Sequence, residues 1–307
     1  EVKFKFNTYV NTQSNSYKLI SDEKAYLDVI KDVLENGEER GTRNSVTKSK
    51  FGLKMEFNNI CDKFPLLTTK KVYWKGIVEE LLWFLSANTN SNDLVKKGIK
   101  IWEGNSNREY LDENGFTNYH DGHCGPIYGF QWRHFGATYS TCKADYSGKG
   151  QDQIQRIIEL LKEDPGSRRI LLSAWNPKQQ HQMALPPCHV SYQFYVNCDN
   201  EIHCQMYQRS ADAFLGLPFN IASTALLVHL LAHETKRKVG KLSIVIGDLH
   251  LYEEHAGVAA IQANRVPHKF PELSIDRTRD NLWNLKMEDV QLVGYKHHPS
   301  LKAKMAV

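Results

Sequence analysis

Apolar residues along this chain recur at two spacings, one typical of helices and one typical of strands. From Asp22 onward, Tyr26, Ile30 and Val33 fall at helical spacing, and Gly37 predicts the end of that helix. Further helices are predicted over residues 76–88, 152–166 and 220–234, and strands over residues 168–175, 189–196, 201–210 and 241–248. Because helices and strands interleave without strict alternation, the pattern predicts an α+β fold in which helices cover a mixed sheet.

The chain divides into a short lead-in and one continuous domain. Residues 1–21 are interpreted as an N-terminal extension or linker, because Val2, Phe4 and Phe6 alternate with polar residues as in a strand and the polar segment NTQSNS follows them. Residues 22–307 contain no internal repeat and no low-complexity tract, so they are predicted to form a single domain.

The composition of the chain bears on which partners and which cellular compartment are expected. The net charge is only +4, and Lys and Arg are spread along the chain rather than gathered into a stripe, so nucleic acid is not an expected partner. No segment is read as a membrane span or a secretory signal, so no membrane partner is expected. Six cysteines without C-x-x-C spacing are typical of reduced thiols, which predicts a cytoplasmic protein.

Several chemistries lose support because their motifs are missing. The sequence has no Gly-rich phosphate loop, no G-x-S-x-G and no H-E-x-x-H. Histidines recur in YHDGHC (residues 119–124) and HLYEEH (residues 250–255), but neither segment offers a recognised metal spacing or a second ligand pair. No metal is therefore predicted.

Cys188 is the candidate nucleophile. It follows Pro186 and Pro187, which rigidify its approach, and it precedes a predicted strand. A thiol attacks as the thiolate, so a nearby arginine that lowers its pKa is expected, and Arg209 is the best candidate. The alternatives are a small buried structural cysteine and an arginine at a solvated strand edge. On the predicted strand, Arg209 shares a face with Tyr207 and lies opposite the face that carries Gln208.

Seven segments resemble thymidylate synthases and occur in that family's order: FPLLTTKKVYWKGIVEELLWFL, GPIYGFQWRHFG, SRRILLSAWNP, LPPCH, YQRSADAFLGLPFNIAS, GDLHLY and KMAV. Together they cover nearly the whole chain from about Asp22. The resemblance implies a thymidylate synthase-like fold and a homodimer packed sheet to sheet. The segment VKFKFNTYV weakly resembles the closing strand of dihydrofolate reductases, which some protists fuse upstream of thymidylate synthase; a trimmed extension is the alternative.

The resemblance implies a reaction. In the family, the cysteine that matches Cys188 adds to carbon 6 of the uracil ring of deoxyuridylate (dUMP), which makes carbon 5 nucleophilic. Carbon 5 takes the methylene group of 5,10-methylenetetrahydrofolate, and the folate then supplies the hydride that gives thymidylate (dTMP) and dihydrofolate. The folate is thus a co-substrate, and the family reaction requires no metal.

The resemblance also implies catalytic roles. Glu80 would order waters and move protons, while Glu79 is expected to face solvent. Tyr128 would help to remove the carbon 5 proton. Asn220 would pair with the pyrimidine edge and favour uracil over cytosine, with a helix-capping asparagine as the alternative. Trp102 would shield the exocyclic methylene from water, with an ordinary core aromatic as the alternative.

Substrate contacts are implied in two groups. The residues expected at dUMP are Arg168, Arg169, Arg209, Ser210, Asp212, Asn220, His250, Tyr252 and either Arg40 or Arg43. The residues expected at the folate are Glu80, Trp102, Asp212, Leu215, Gly216, Phe219, Ala306 and Val307. Arg168 and Arg169 would come from the other subunit, so each site would need two chains. The last two residues would close over bound folate.

The sequence departs from the family at the phosphate loop. Counting back from Phe51 places Thr42, not arginine, at the position of one phosphate ligand, and Arg40 or Arg43 could substitute. The usual Asp-Leu-Gly-Pro is replaced by a segment that begins His123-Cys124. Two other functions stay open: a pyrimidine nucleotide hydroxymethylase, and a noncatalytic homologue that binds nucleotide or RNA.

Overall fold

A computed structural model describes residues 23–42, 45–276, 278–279 and 281–304. The lead-in at residues 1–21, Arg43, Ala306 and Val307 therefore lie outside the described residues. The helices are α1 (Lys24–Asn36), α2 (Trp74–Leu85), α3 (Asn92–Lys96), α4 (Arg108–Glu113), α5 (Tyr128–His134), α6 (Gln153–Glu163), α7 (Gly216–Thr235) and α8 (Ala256–Ala263). The strands are β1 (Glu38–Gly41), β2 (Val46–Phe57), β3 (Leu171–Ser173), β4 (His189–Val196), β5 (Glu201–Asp212), β6 (Lys238–Tyr252), β7 (Glu272–Ile275) and β8 (Val290–Val293).

The main sheet is mixed, as predicted. Its strand order is β1-β2-β6-β5-β4-β3, and β7 pairs with β8 in a separate hairpin. Strands β5 and β6 are parallel, while the other neighbours in the sheet are antiparallel. A parallel pair requires a crossover connection, and α7 supplies it. The carboxyl ends of β5 and β6 therefore meet at one edge of the sheet, where Asp212 lies beside His250.

Helix α7 is the centre of the hydrophobic core. Most of its side chains are buried, among them Ile221, Leu226 and Leu230. Its length and hydropathy would also suffice to cross a bilayer, a property that the sequence reading did not assign to any segment. Because 78% of its most apolar window is buried inside the protein, the helix has the character of a core helix.

The predicted elements hold with shifts at their ends. Strand β4 matches its predicted range, whereas β3 keeps only three of eight predicted residues. Helix α7 begins at Gly216, four residues before its predicted start, because Asp212 accepts hydrogen bonds from the backbone N–H groups of Phe214 and Leu215 and turns the chain there. Asn220 thus lies inside the helix, and the helix-capping interpretation is wrong.

Candidate active site

A cleft of about 690 Å³ opens where β5, β6 and the start of α7 meet. It collects these predicted site residues: Arg40, Glu80, Trp102, Tyr128, Cys188, Arg209, Ser210, Asp212, Leu215, Gly216, Phe219, Asn220, His250 and Tyr252. A separate groove of about 970 Å³, which includes Lys75 and Trp283, contains none of them. The smaller cleft is therefore the candidate active site.

Cys188 and Arg209 hold each other in position. The guanidinium group of Arg209 donates to the carbonyl oxygens of Pro187 (2.8 Å) and Pro186 (2.9 Å), and its Nη2 lies 3.9 Å from Cys188 Sγ. Burial raises the pKa of Cys188, and the charge of Arg209 lowers it by less. Arg209 thus lowers the pKa of Cys188, as expected, but burial has the larger effect and the net shift is upward.

Tyr128 fixes the backbone of the nucleophile. Its hydroxyl oxygen accepts hydrogen bonds from the backbone N–H groups of Cys188 (2.7 Å) and His189 (3.3 Å). The phenol ring is buried against Phe84, with a centroid separation of 4.7 Å. Burial holds the pKa of Tyr128 well above 10, so the hydroxyl keeps its proton at neutral pH. It can donate that proton in a hydrogen bond while its oxygen accepts from the backbone.

Half-buried Glu80 forms a pair with buried Trp102. The indole Nε1–H of Trp102 donates to the Glu80 carboxylate at 2.7 Å. Desolvation raises the pKa of Glu80 to about 7, and the bond from Trp102 opposes that rise. Glu79, expected to face solvent, is instead buried and lies 2.5 Å from Lys97. The expectation for Glu79 is wrong because α3 and the residue that follows it cover that side of α2.

Asn220 is oriented by a residue that the sequence reading placed elsewhere. Gln208 Nε2 donates to Asn220 Oδ1 at 2.7 Å, which fixes the side-chain oxygen and leaves the amide N–H groups for other acceptors. His189 also contacts Asn220, and burial lowers the pKa of this histidine to about 4, so its ring is neutral. Gln208 was missed because strand alternation placed it opposite Arg209. Its burial on β5 is the signal, since a buried amide requires a partner.

The arginines divide between the cleft and the outer surface. Arg40 reaches the cleft from β1, and its Nη1 lies 2.8 Å from Asp248 Oδ2, with 54% of its side chain exposed. Thr42 also lines the cleft. Arg168 and Arg169 are exposed just before β3 and do not line the cleft of their own chain. Among the described residues that line the cleft, Arg40 and Arg209 are the only arginines.

The described end of the chain lies against the cleft. Ala303 lines the cleft, and the carbonyl oxygen of Lys304 accepts a hydrogen bond from Nε2 of buried His255 at 2.7 Å. The other ring nitrogen, Nδ1, lies 3.9 Å from Asp212 Oδ1. His255, which was not predicted as a site residue, thus holds the described end of the chain beside Asp212, although its Nδ1 makes no hydrogen bond to that carboxylate.

A half-buried cysteine beside an arginine, a side-chain amide held by Gln208 and a carboxyl group with a pKa near neutrality form a site whose chemistry suits attack by a thiolate and proton transfer. The family model described as "Thymidylate synthase" matches residues 24–307. The chain belongs to the thymidylate synthase family.

Curated relatives include both single-function and bifunctional proteins. The chain is 48% identical to human thymidylate synthase over 286 residues, which cover 93% of this chain and 91% of the human one. It is 46% identical to the thymidylate synthase of Candida albicans, covering 93% and 98% of the two chains. It is also 48% identical to the bifunctional dihydrofolate reductase-thymidylate synthase of Paramecium tetraurelia over 310 residues, all of this chain and 66% of that protein. The chain thus spans about half to two thirds of the bifunctional relatives.

Proposed function

We propose that this chain methylates dUMP to dTMP, with 5,10-methylenetetrahydrofolate as the donor of both the carbon and the hydride. The observation that carries this proposal is the placement of Cys188, Arg209 and Asn220 in one cleft with the Glu80 and Trp102 pair. Membership of the thymidylate synthase family supports the same reaction.

The first step is addition of the Cys188 thiolate to carbon 6 of uracil, which moves an electron pair toward the oxygen on carbon 4. An amide N–H of Asn220 donates to that oxygen as negative charge develops there. Arg209 Nη2 lies 3.9 Å from the sulfur, and its positive charge stabilises the thiolate relative to the thiol. The Tyr128 hydroxyl fixes the Cys188 backbone, so the sulfur starts from a defined position.

In the later steps carbon 5 forms a bond to the folate methylene and loses its proton. The folate then leaves, its reduced ring transfers a hydride to the exocyclic methylene, and the Cys188 sulfur is expelled as the bond to carbon 6 breaks. Ionised Glu80 takes up and returns a proton during these steps, for which a pKa of about 7 is well suited. The Trp102 ring covers this part of the cleft and keeps water from the methylene.

The proposed substrate contacts fall into a group at dUMP and a group at the folate. The sugar hydroxyl lies at His250 and Tyr252, and the phosphate lies at Arg209 and Ser210. Arg40 is the described arginine available at the altered phosphate loop, where its bond to Asp248 holds it at the rim. Asp212, together with Leu215, Gly216 and Phe219, lies at the folate.

We also propose a homodimer that packs sheet to sheet. Strand register places exposed Leu171, Tyr195 and Tyr207 on one face of the sheet, with 50%, 62% and 39% of their surfaces exposed. A second copy that covers this apolar face would bring Arg168 and Arg169 to the neighbouring phosphate site. Mixing an Arg168→Ala/Arg169→Ala double variant with Cys188→Ala should restore activity in mixed dimers, whereas no restoration would contradict shared sites.

The proposed setting is a reducing cytoplasm, in line with the free thiols of all six cysteines. The alignment with the Paramecium protein includes the lead-in, which supports an upstream dihydrofolate reductase in the native protein. The length of the native reading frame tests this point.

Product analysis tests the proposed reaction. The chain is incubated with dUMP and methylenetetrahydrofolate, and dihydrofolate absorbance and nucleotide products are followed together. Equimolar dTMP and dihydrofolate are expected. A hydroxymethyl nucleotide without dihydrofolate would identify a hydroxymethylase, and nucleotide binding without turnover would identify a noncatalytic homologue.

A further inference from the structure

Two histidines and a cysteine converge outside the active-site cleft. Within the described residues, the potential ligand atoms of His120, His123 and Cys142 all lie within 4.8 Å of one another. Cys142 Sγ is 3.4 Å from His120 Nε2. None of the three lines the cleft, and the proposed reaction uses none of them. The sequence reading excluded a metal here because it found no second ligand pair in residues 119–124, but the third ligand comes from a later loop.

Each imidazole ring is held by a hydrogen bond at one of its nitrogens. His120 Nδ1 lies 2.9 Å from the carbonyl oxygen of Asp121. Because a carbonyl oxygen only accepts, Nδ1 carries the hydrogen and Nε2, which faces Cys142, carries the lone pair. His123 Nε2 lies 2.8 Å from the hydroxyl of Tyr139, and when Nε2 donates that hydrogen bond, Nδ1 carries the lone pair that a metal requires. Fixing of the second ring nitrogen by an oxygen atom is typical of histidines that bind metals.

The cluster combines one fixed ligand with two adaptable ones. His123 is buried, and the Tyr119 ring stacks on it with a centroid separation of 3.8 Å. His120 is exposed and Cys142 is half-buried, so both side chains can move. Tetrahedral Zn²⁺ with Zn–N of about 2.0–2.1 Å and Zn–S of about 2.3 Å places its ligand atoms about 3.3–3.7 Å apart. The separation of Cys142 and His120, 3.4 Å, already meets this range, and the other pairs, at most 4.8 Å apart, must close by no more than about 1.5 Å.

We propose that His120, His123 and Cys142 bind one Zn²⁺ ion per chain, with a water molecule in the fourth position. Two imidazoles and a thiolate are ligands that suit zinc. The ion would have a structural role, because it would tie the segment around Tyr119 to the loop that carries Cys142. Tyr119 in turn donates to the carbonyl oxygen of Gln182 at 2.8 Å, in the segment that leads to the nucleophile.

Cobalt substitution tests this site in the full-length, metal-free protein. Titration with Co²⁺ should give one equivalent of binding, with tetrahedral d–d bands and a thiolate-to-cobalt charge-transfer band, and Zn²⁺ should displace the cobalt. Cys142→Ser should remove the charge-transfer band and weaken Zn²⁺ binding at least tenfold. His120→Ala should weaken it similarly, and Zn²⁺ should raise the unfolding temperature of the unaltered protein but not of these variants.

Matched variants separate this site from the other thiols. Cys198→Ser removes an exposed cysteine and Cys188→Ser removes the nucleophile, and both should bind Co²⁺ as the unaltered protein does. The unfolding temperatures of the metal-free variants show whether each still folds. Absence of stoichiometric binding at micromolar metal, binding that survives both Cys142→Ser and His120→Ala, or loss of binding in Cys188→Ser would each overturn the proposal.

Discussion

Replacement of Trp102 by phenylalanine should shift the pH dependence of catalysis through Glu80. The indole of Trp102 donates the one hydrogen bond that lowers the pKa of this carboxyl group, against a larger rise caused by burial. Phenylalanine keeps an aromatic ring but has no donor. The ionised form of Glu80 therefore loses its partner, and the pKa must rise above about 7.

The size of the shift follows from the strength of the lost bond. A hydrogen bond to a charged group contributes about 1.5–3 kcal/mol, and about 1.4 kcal/mol corresponds to one pKa unit, so the rise should be about one to two units. At pH 7 the ionised fraction of Glu80 would fall from roughly one half to between roughly one tenth and one hundredth. Activity at pH 7 should fall by about the same factor and recover as the pH rises.

The assay is the pH dependence of kcat/KM for dUMP, measured through dihydrofolate formation. Trp83→Phe is the matched control, because the Trp83 indole is also buried, packs 5.7 Å from Trp102 and has no hydrogen-bond partner among the described residues. In Trp83→Phe, the rise of kcat/KM with increasing pH should have the same midpoint as in the unaltered protein. A midpoint that does not change in Trp102→Phe, or that changes equally in both variants, would refute the role assigned to the Glu80 and Trp102 pair.

Three further changes have expected outcomes. Glu80→Gln should raise the free energy of unfolding above pH 7 by at most about 3 kcal/mol, because the pKa of Glu80 is about 7 in the folded protein and 4.5 ordinarily, so its ionisation costs stability as the pH rises between these values. Urea unfolding should show that this gain disappears below about pH 4.5. A gain that does not change with pH would contradict the raised pKa of Glu80. Tyr128→Phe leaves the Cys188 N–H without its acceptor and should cost about 1–3 kcal/mol in urea unfolding and lower kcat, whereas unchanged values would exclude this positioning role. Asn220→Asp should move the ratio of kcat/KM values from dUMP toward deoxycytidylate, and an unchanged ratio would contradict edge pairing.

The parts of the fold that sequence patterns could predict are those whose patterns are strong. In helix α6 the apolar residues recur at helical spacing, and in strand β4 apolar and polar residues alternate over the full length. The predicted ranges of both elements therefore agree closely with the observed ones. Strand β2 was not predicted, since its lysines interrupt the apolar pattern and its long partner, β6, lies far away along the chain. Pairing with those neighbours, rather than local propensity, determines that strand.

In the candidate site, too, some residues were predictable from local sequence and others depended on tertiary contacts. Cys188 and Arg209 were paired from the two prolines and the strand that follows, and the structure brings them together. Gln208 was missed because period-two alternation assigns a face but does not say that the inner face reaches a cleft. The burial of Glu79 could not be predicted, because it depends on the position of α3, which no local pattern contains.

The histidine and cysteine cluster could not be predicted for a related reason. Its spacing of two ligands in one loop and a third in another matches no common metal motif, so only tertiary structure reveals it. The replacement of the usual family Asp-Leu by His123-Cys124 was visible in the sequence, but its possible meaning depended on the placement of Cys142.

Comparison of Cys188→Ala with Cys198→Ala tests the central claim most directly, because one variant removes the nucleophile and the other removes an exposed thiol outside the cleft. Dihydrofolate formation from dUMP and methylenetetrahydrofolate is measured in parallel with dUMP binding. Cys188→Ala should bind dUMP without turnover, and Cys198→Ala should match the unaltered protein. Appreciable dihydrofolate formation by Cys188→Ala would contradict covalent catalysis by this residue.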